Sequence, residues 1–156
     1  MPPKSNRRDV FDPASDNFLK EEFPFYWVAR VHGRYKDLMD KALKRIGLDS
    51  LRWRVLSILK EQKEMTVSEV SEYAVIRLPT TTKLIYRMQE EGLINIKTAE
   101  NDGRVKLLSL TEKGTERWQD AYQAANKLFV KSFDGIPMPT LRKLNITLEA
   151  ILNNLQ

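Results

Sequence analysis

Residues 89–114 read QEEGLINIKTAENDGRVKLLSLTEKG. Two short stretches in it have strand character, 94–97 (INIK) and 105–110 (VKLLSL), and a polar loop holding Asn101, Asp102 and Gly103 separates them. Both stretches are β-branched or alternating, and Asp-Gly between such runs is a strong local hairpin signal. Gly92 suits the left-handed residue that ends a helix, and Thr111 suits an N-cap. A helix, a hairpin and a second helix are therefore expected in direct succession.

Upstream, Pro79 opens a helix that reaches about residue 91, with Leu84, Ile85 and Met88 as its core side. Thr66-Val67-Ser68-Glu69 has capping-box spacing and predicts a short helix through Tyr73 and Ala74, followed by a turn at Ile76 and Arg77. A helix capped by Asp49 or Ser50 turns Leu51, Val55, Ile58 and Leu59 inward beside Trp53, then runs into the polar residues 61–64. Between 23 and 46, Trp27, Val31, Tyr35, Leu38, Ala42 and Ile46 recur every three or four residues, and Phe25, Val28, Met39 and Leu43 widen the stripe. Such a helix is roughly 35 Å long, and its broad apolar face suggests burial against a second chain.

Downstream, a long helix from Thr111 aligns Trp118, Tyr122, Ala125 and Phe129, with Ala121, Leu128 and Phe133 beside them. Residues 134–139 break it. A last helix carries Leu141, Leu144, Leu148, Ile151 and Leu155 at spacings of 3, 4, 3 and 4, a heptad seam suited to packing on other helices. The expected fold is mainly α: a winged helix-turn-helix over 48–111 with a two-stranded wing, flanked by helical regions at 23–47 and 112–156. Residues 1–22 are read as an arm, either a frayed tail or one whose Lys4, Arg7 and Arg8 touch a partner.

Composition narrows the function. The 156 residues are 42% hydrophobic and 30% charged, a globular balance, and 26 Lys and Arg against 21 Asp and Glu leave a net charge of +5, compatible with a polyanionic partner. The absence of cysteine removes thiolate zinc sites, thiol nucleophiles and thiol redox sensing. With one histidine, His32, a serine triad would need that residue and a multi-histidine metal site cannot be built. The six glycines stand apart, so no phosphate-cradling loop exists. No catalytic residue, metal or cofactor is expected. No apolar run is long enough to span a bilayer and residues 1–9 lack a secretory apolar core, so a cytoplasmic protein is expected.

The first turn of the helix at Pro79 carries Thr80, Thr81, Thr82 and Lys83. Consecutive threonines are poor helix formers, which makes sense where hydroxyls and methyls at a helix start meet something outside. In helix-turn-helix docking those positions meet base edges in the major groove. Arg87 lies one turn on, placed for a phosphate. In the hairpin, Asp102 can orient the Arg104 guanidinium. An oriented arginine on a thin projection suits the minor groove, with Lys97 and Lys106 as flanking phosphate contacts.

Gln89-Glu90-Glu91-Gly92-Leu93-Ile94, Asp102-Gly103-Arg104 and Leu108-Ser109-Leu110-Thr111-Glu112-Lys113-Gly114, at this spacing and without a gap, resemble the MarR family of bacterial regulators. The resemblance extends over the helices at 48–59 and 80–87, and its length matches the chain from about Phe23 onward. It implies a homodimeric winged-helix protein on double-stranded, pseudo-palindromic operator DNA, with interlocking terminal helices. It also implies repression of a nearby operon, relieved by a small ligand. By position it carries base and phosphate contacts onto Thr80, Thr82 and Lys83, the recognition-helix arginine onto Arg87, and the wing pair onto Asp102 and Arg104. Tyr86 stands where a small acidic residue is usual, and Ile96 where a wing arginine is common.

The family's effector cleft, between dimerisation helices and DNA-binding lobe, would here be lined by Trp27, Arg30, His32, Tyr35, Trp53 and Trp118. Aromatic rings with one or two cations favour an aromatic acid or its thioester. The family's peroxide-sensing mode needs cysteine and is excluded. A helical protein–protein adaptor that docks through a winged helix is the alternative; its binding, unlike binding to DNA, would not weaken steeply with salt.

Overall fold

A computed structural model describes residues 9–156. The cationic contacts expected of Lys4, Arg7 and Arg8 lie outside the described residues. A three-residue 3-10 turn, Asp9–Phe11, leads into α1, Pro24–Lys44. Then come α2 (Ser50–Gln62), β1 (Glu64–Thr66), α3 (Val67–Tyr73), α4 (Leu78–Glu90), β2 (Ile94–Ala99), β3 (Asp102–Leu110), α5 (Glu112–Ser132) and α6 (Met138–Asn154).

The local signals explain the boundaries. Gly47, at φ +70°, ends α1 with paired bonds from Leu48 N to Leu43 O and from Gly47 N to Lys44 O. Gly92, at φ +74°, ends α4 in the same way, onto Met88 and Gln89. The Asp49 carboxylate accepts from Arg52 N at 2.8 Å to start α2, and Thr66 and Glu69 form the reciprocal capping box of α3. Thr111 caps α5 through Gly114 N at 2.9 Å.

The sheet departs from expectation in two ways. It has three strands in the order β1-β3-β2, because Glu64–Thr66 pairs antiparallel with 107–109. Only Met65 of that short strand is buried, so its polar flanks read as the end of a helix. The wing strands are also longer than expected. Asp102 and Gly103 belong to β3, the turn falls on Glu100 and Asn101, and Gly103 is not in the left-handed region. An irregularity in pairing at Thr98 and Ala99 absorbs the difference.

The core gathers Met39, Leu43, Val55, Leu56, Leu59, Val70, Ile85, Met88, Leu108 and Ala121 from α1–α5 and β3. The seam between β2 and α5 is unusually close. Thr111 donates from N and Oγ1 to Leu93 O and Gly92 O, and Lys113 Nζ reaches Glu91 O at 2.7 Å. A Cβ on Gly114 would stand 2.0 Å from Leu93 O. The Gly-Leu-Ile and Leu-Thr-x-x-Gly elements are thus two halves of one contact.

Burial is uneven. In α1 only Met39 and Leu43 are buried, while Phe25, Trp27, Val28 and Val31 are exposed. No residue of α6 is buried, and its Leu144, Leu148 and Leu152, with Leu155 just beyond it, are exposed.

Candidate nucleic-acid interface

The helix-turn-helix is held by polar contacts at its corners. Arg52, only 8% exposed, bridges the start of α2 to the end of α4: it pairs with Asp49 and donates to both carboxylate oxygens of Glu91, at 2.7 and 3.2 Å. The Glu91 bonds, foremost, hold the guanidinium above its ordinary pKa. Arg54 donates to the carbonyl of Ala74, where α3 gives way to the turn before α4. Ser71 Oγ donates to Ile76 O at 2.6 Å within the same turn. Val75 sits there at φ +52°, in the left-handed region that β-branched residues avoid. Sequence reasoning missed Arg52 and Arg54, although a buried arginine between two acidic residues is legible only once the helices are placed.

On α4 the threonines separate. Thr80 is exposed, and Thr82 is half-buried with its hydroxyl donating to Leu78 O at 2.9 Å. Thr81 is fully buried, its hydroxyl turned toward the carbonyls of Ile76 and Arg77. The expected contact of Thr81 with DNA is therefore corrected: at about 100° per residue it shares the inner side with Ile85 and Met88. Lys83 and Arg87 are exposed, and Arg87 leans 3.4 Å from Glu91.

In the wing, Asp102 accepts from Arg104 N at 2.9 Å and Nε at 3.2 Å, leaving the Arg104 side chain 93% exposed. Those bonds, the backbone one first, hold the Asp102 carboxyl below its usual range. Lys97 is exposed opposite Leu107, whereas Lys106 lies opposite Thr98 and donates to its hydroxyl at 2.7 Å. By strand alternation the two lysines leave on opposite faces of the wing, not as a pair on one side.

The six ligand candidates are not brought together. Trp27, Arg30 and Tyr35 line a cleft of about 560 Å³ between α1 and α5, which adds Arg34 and Phe133. Trp53 and Tyr35 line a second, of about 170 Å³, between α1, α2 and α3, which adds Arg54 and Tyr73. His32 lines neither; it is exposed, about 140° around α1 from Trp27. Trp118 lines neither because it is packing material: it stacks on Trp53 at 6.3 Å and on Tyr122 at 5.8 Å, and donates to Ser57 Oγ at 3.2 Å. Among the described residues no group of three metal-ligating side chains occurs, and no helix is long and apolar enough to cross a membrane.

The model of the MarR family matches residues 48–106, from the start of α2 through the wing. An HTH-type transcriptional repressor of Pseudomonas putida, IacR, is 46% identical over 145 residues, covering 93% of this chain and 87% of the relative. The chain belongs to the MarR family. Among solved structures, a MarR-family regulator from Silicibacter pomeroyi superposes with a TM-score of 0.80 at 22% identity, over 88% of this chain and 93% of that one. CouR from Rhodococcus jostii RHA1, bound to p-coumaroyl-CoA, gives 0.75 at 24%, over 85% and 94%. As a MarR-family protein the chain is a DNA-binding transcriptional regulator and not an enzyme.

Proposed function

We propose that this MarR-family regulator represses as a homodimer on a pseudo-palindromic operator and is released by a small aromatic carboxylate or its thioester. The observation that carries the DNA part is the outward half of α4, exposed and cationic, on a helix tied to α2 at its C-terminal end by the Arg52–Glu91 pair and preceded by a turn that Arg54 braces through Ala74 O. Thr80, Thr82, Lys83 and Arg87 serve the major groove, and Arg104, aimed by Asp102, the minor groove; Lys97 and Lys106 meet phosphates from opposite faces of the wing. Two copies of α4 enter successive major grooves about one helical turn apart. The exposed apolar faces of α1 and α6, within the regions 23–47 and 112–156, supply the dimer interface. The site of action is the cytoplasm.

In our reading the effector sits between the helices and the DNA-binding lobe; that the structural neighbour CouR is bound to p-coumaroyl-CoA supports an aromatic thioester as one kind of ligand. The cavity of about 170 Å³ lies below the size of drug-sized ligand pockets and has room for a small single-ring acid at most, with Tyr35, Trp53 and Tyr73 at its walls and Arg54 for the carboxylate. Drawing Arg54 onto a carboxylate takes it from Ala74 O and loosens the turn before α4. Release follows only if the ligand binds this loosened form more tightly than the DNA-bound one. A thioester would need the larger cleft, where Arg30 and Arg34 are the cations.

The test is binding to a labelled duplex from the upstream intergenic region, with salt titration. Tight binding that outcompetes bulk DNA and falls steeply with salt supports the reading. Binding indifferent to sequence moves the adaptor alternative forward. Screening aromatic carboxylates by thermal shift tests the effector, and stabilisation by none of them counts against it.

A further inference from the structure

The outward half of α4 is divided lengthwise. At about 100° per residue, the buried Thr81, Ile85 and Met88 share one side. Of the other positions up to Arg87, Leu78, Pro79, Thr82 and Tyr86 fall along one edge, Thr80, Lys83 and Arg87 along the other, and half-buried Leu84 lies beside the core side. The second edge is cationic and polar. The first is apolar at its ends: Leu78 is 47% exposed and Tyr86 49%. Thr82, between them in the i, i+4, i+8 row, has already committed its hydroxyl proton to Leu78 O at 2.9 Å. It can therefore offer an incoming surface its methyl group and an acceptor, but no donor.

None of these three side chains belongs to the buried core, to which this helix contributes Ile85 and Met88. A leucine and a tyrosine held in water on a helix beside a cationic edge fit a polyanion that also presents apolar groups. In the DNA major groove that apolar group is the thymine 5-methyl. We propose that the Leu78–Thr82–Tyr86 edge of α4 reads thymine methyls in each operator half-site. Lys83 and Arg87, on phosphates, fix its register. This rests on the reading that α4 enters the major groove, and it makes Leu78 and Tyr86 specificity-determining residues.

The full-length protein is used to select duplexes from a randomised library. Each thymine of the selected site is then replaced by deoxyuridine, which removes the methyl and keeps the Watson–Crick edge. At one or more thymines per half-site, affinity is expected to fall about fourfold, the worth of burying one methyl-sized group. In Leu78→Ala or Tyr86→Ala the same replacement is expected to have no effect, while Tyr86→Phe retains the penalty. Circular dichroism melts of the variants should match the parent, since both side chains are exposed. Deoxyuridine tolerated by the parent at every thymine overturns the inference while leaving DNA binding intact, as does a penalty unchanged in both alanine variants. Failure to enrich any duplex overturns groove docking itself, and this inference with it.

Discussion

Three adjacent threonines occupy three environments: Thr80 exposed, Thr82 half-buried and bonded to Leu78 O, Thr81 fully buried. Their chemistry is identical, so only their angle around α4 sorts them into surface, edge and core. Arg104 and Arg52 make a similar contrast. Both pair with aspartate, but the Arg104 side chain is 93% exposed and that of Arg52 10%. An exposed pair adds little stability, so Arg104→Ala should weaken DNA binding with an unchanged melting temperature; equal affinity of variant and parent for the operator refutes the wing assignment. Arg52→Ala removes the link between Asp49 and Glu91, and because Glu91 stays partly solvated and near Arg87 the cost in urea unfolding should be about 1.5 kcal/mol. A loss under about 0.5 kcal/mol, the size of an ordinary surface substitution, would show that Arg52 is not the link described. Gly114→Ala forces a Cβ toward the Leu93 carbonyl, a backbone atom held in the β2–α5 seam. The variant should lose cooperative unfolding or fall well below the parent in Tm, and a normal melt would show that the seam can open.

Among the elements, the ones with a repeating signal were legible. Heptad-like spacing located α1, α5 and α6, Gly92 marked the end of α4, and the Thr66–Glu69 box marked the start of α3. What escaped was set by distant partners. β1 is three residues long and becomes a strand only because β3 runs beside it. The turn at Glu100 and Asn101 differs from the Asp-Gly expectation because strand pairing extends to Ala99 and Asp102. The candidate DNA contacts were named from residue type; the structure leaves Thr80, Lys83, Arg87 and Arg104 exposed and buries Thr81, whose place needed the helix orientation. The ligand candidates were less legible, since Trp118 and Trp53 stack on each other before either meets a ligand. Two element junctions carry a pH dependence. Asp40, held by Lys36 first and also accepting from Ser50, and Glu69, accepting from Thr66, both have carboxyl pKa values lowered in the fold. A lowered folded value means the stabilisation is complete above the unfolded pKa and is lost as pH falls through the folded one. The urea midpoint should therefore drop between about pH 5 and pH 3, and Glu69→Gln, which keeps the cap but does not titrate, should make that drop shallower. A profile identical to the parent's would remove Glu69 from the acid transition.

At the scale of the whole molecule, the described chain divides into a well-packed winged-helix centre and terminal helices with exposed apolar side chains, aromatics and valines on α1 and mostly leucines on α6. Leu148→Asp places a charge in the α6 seam and should convert the proposed dimer to a monomer or an unstable chain in sedimentation analysis. A stable dimer would take α6 out of the interface. The bare α6 seam also bears on dosage. A chain that completes its apolar burial only by pairing has a stability tied by mass action to its own abundance. In the proposed dimer this coupling amplifies differences in abundance: scarce copies fall apart before they reach an operator, and surplus copies become sturdier and longer-lived. Its copy number is then part of its set point, as much as operator or inducer.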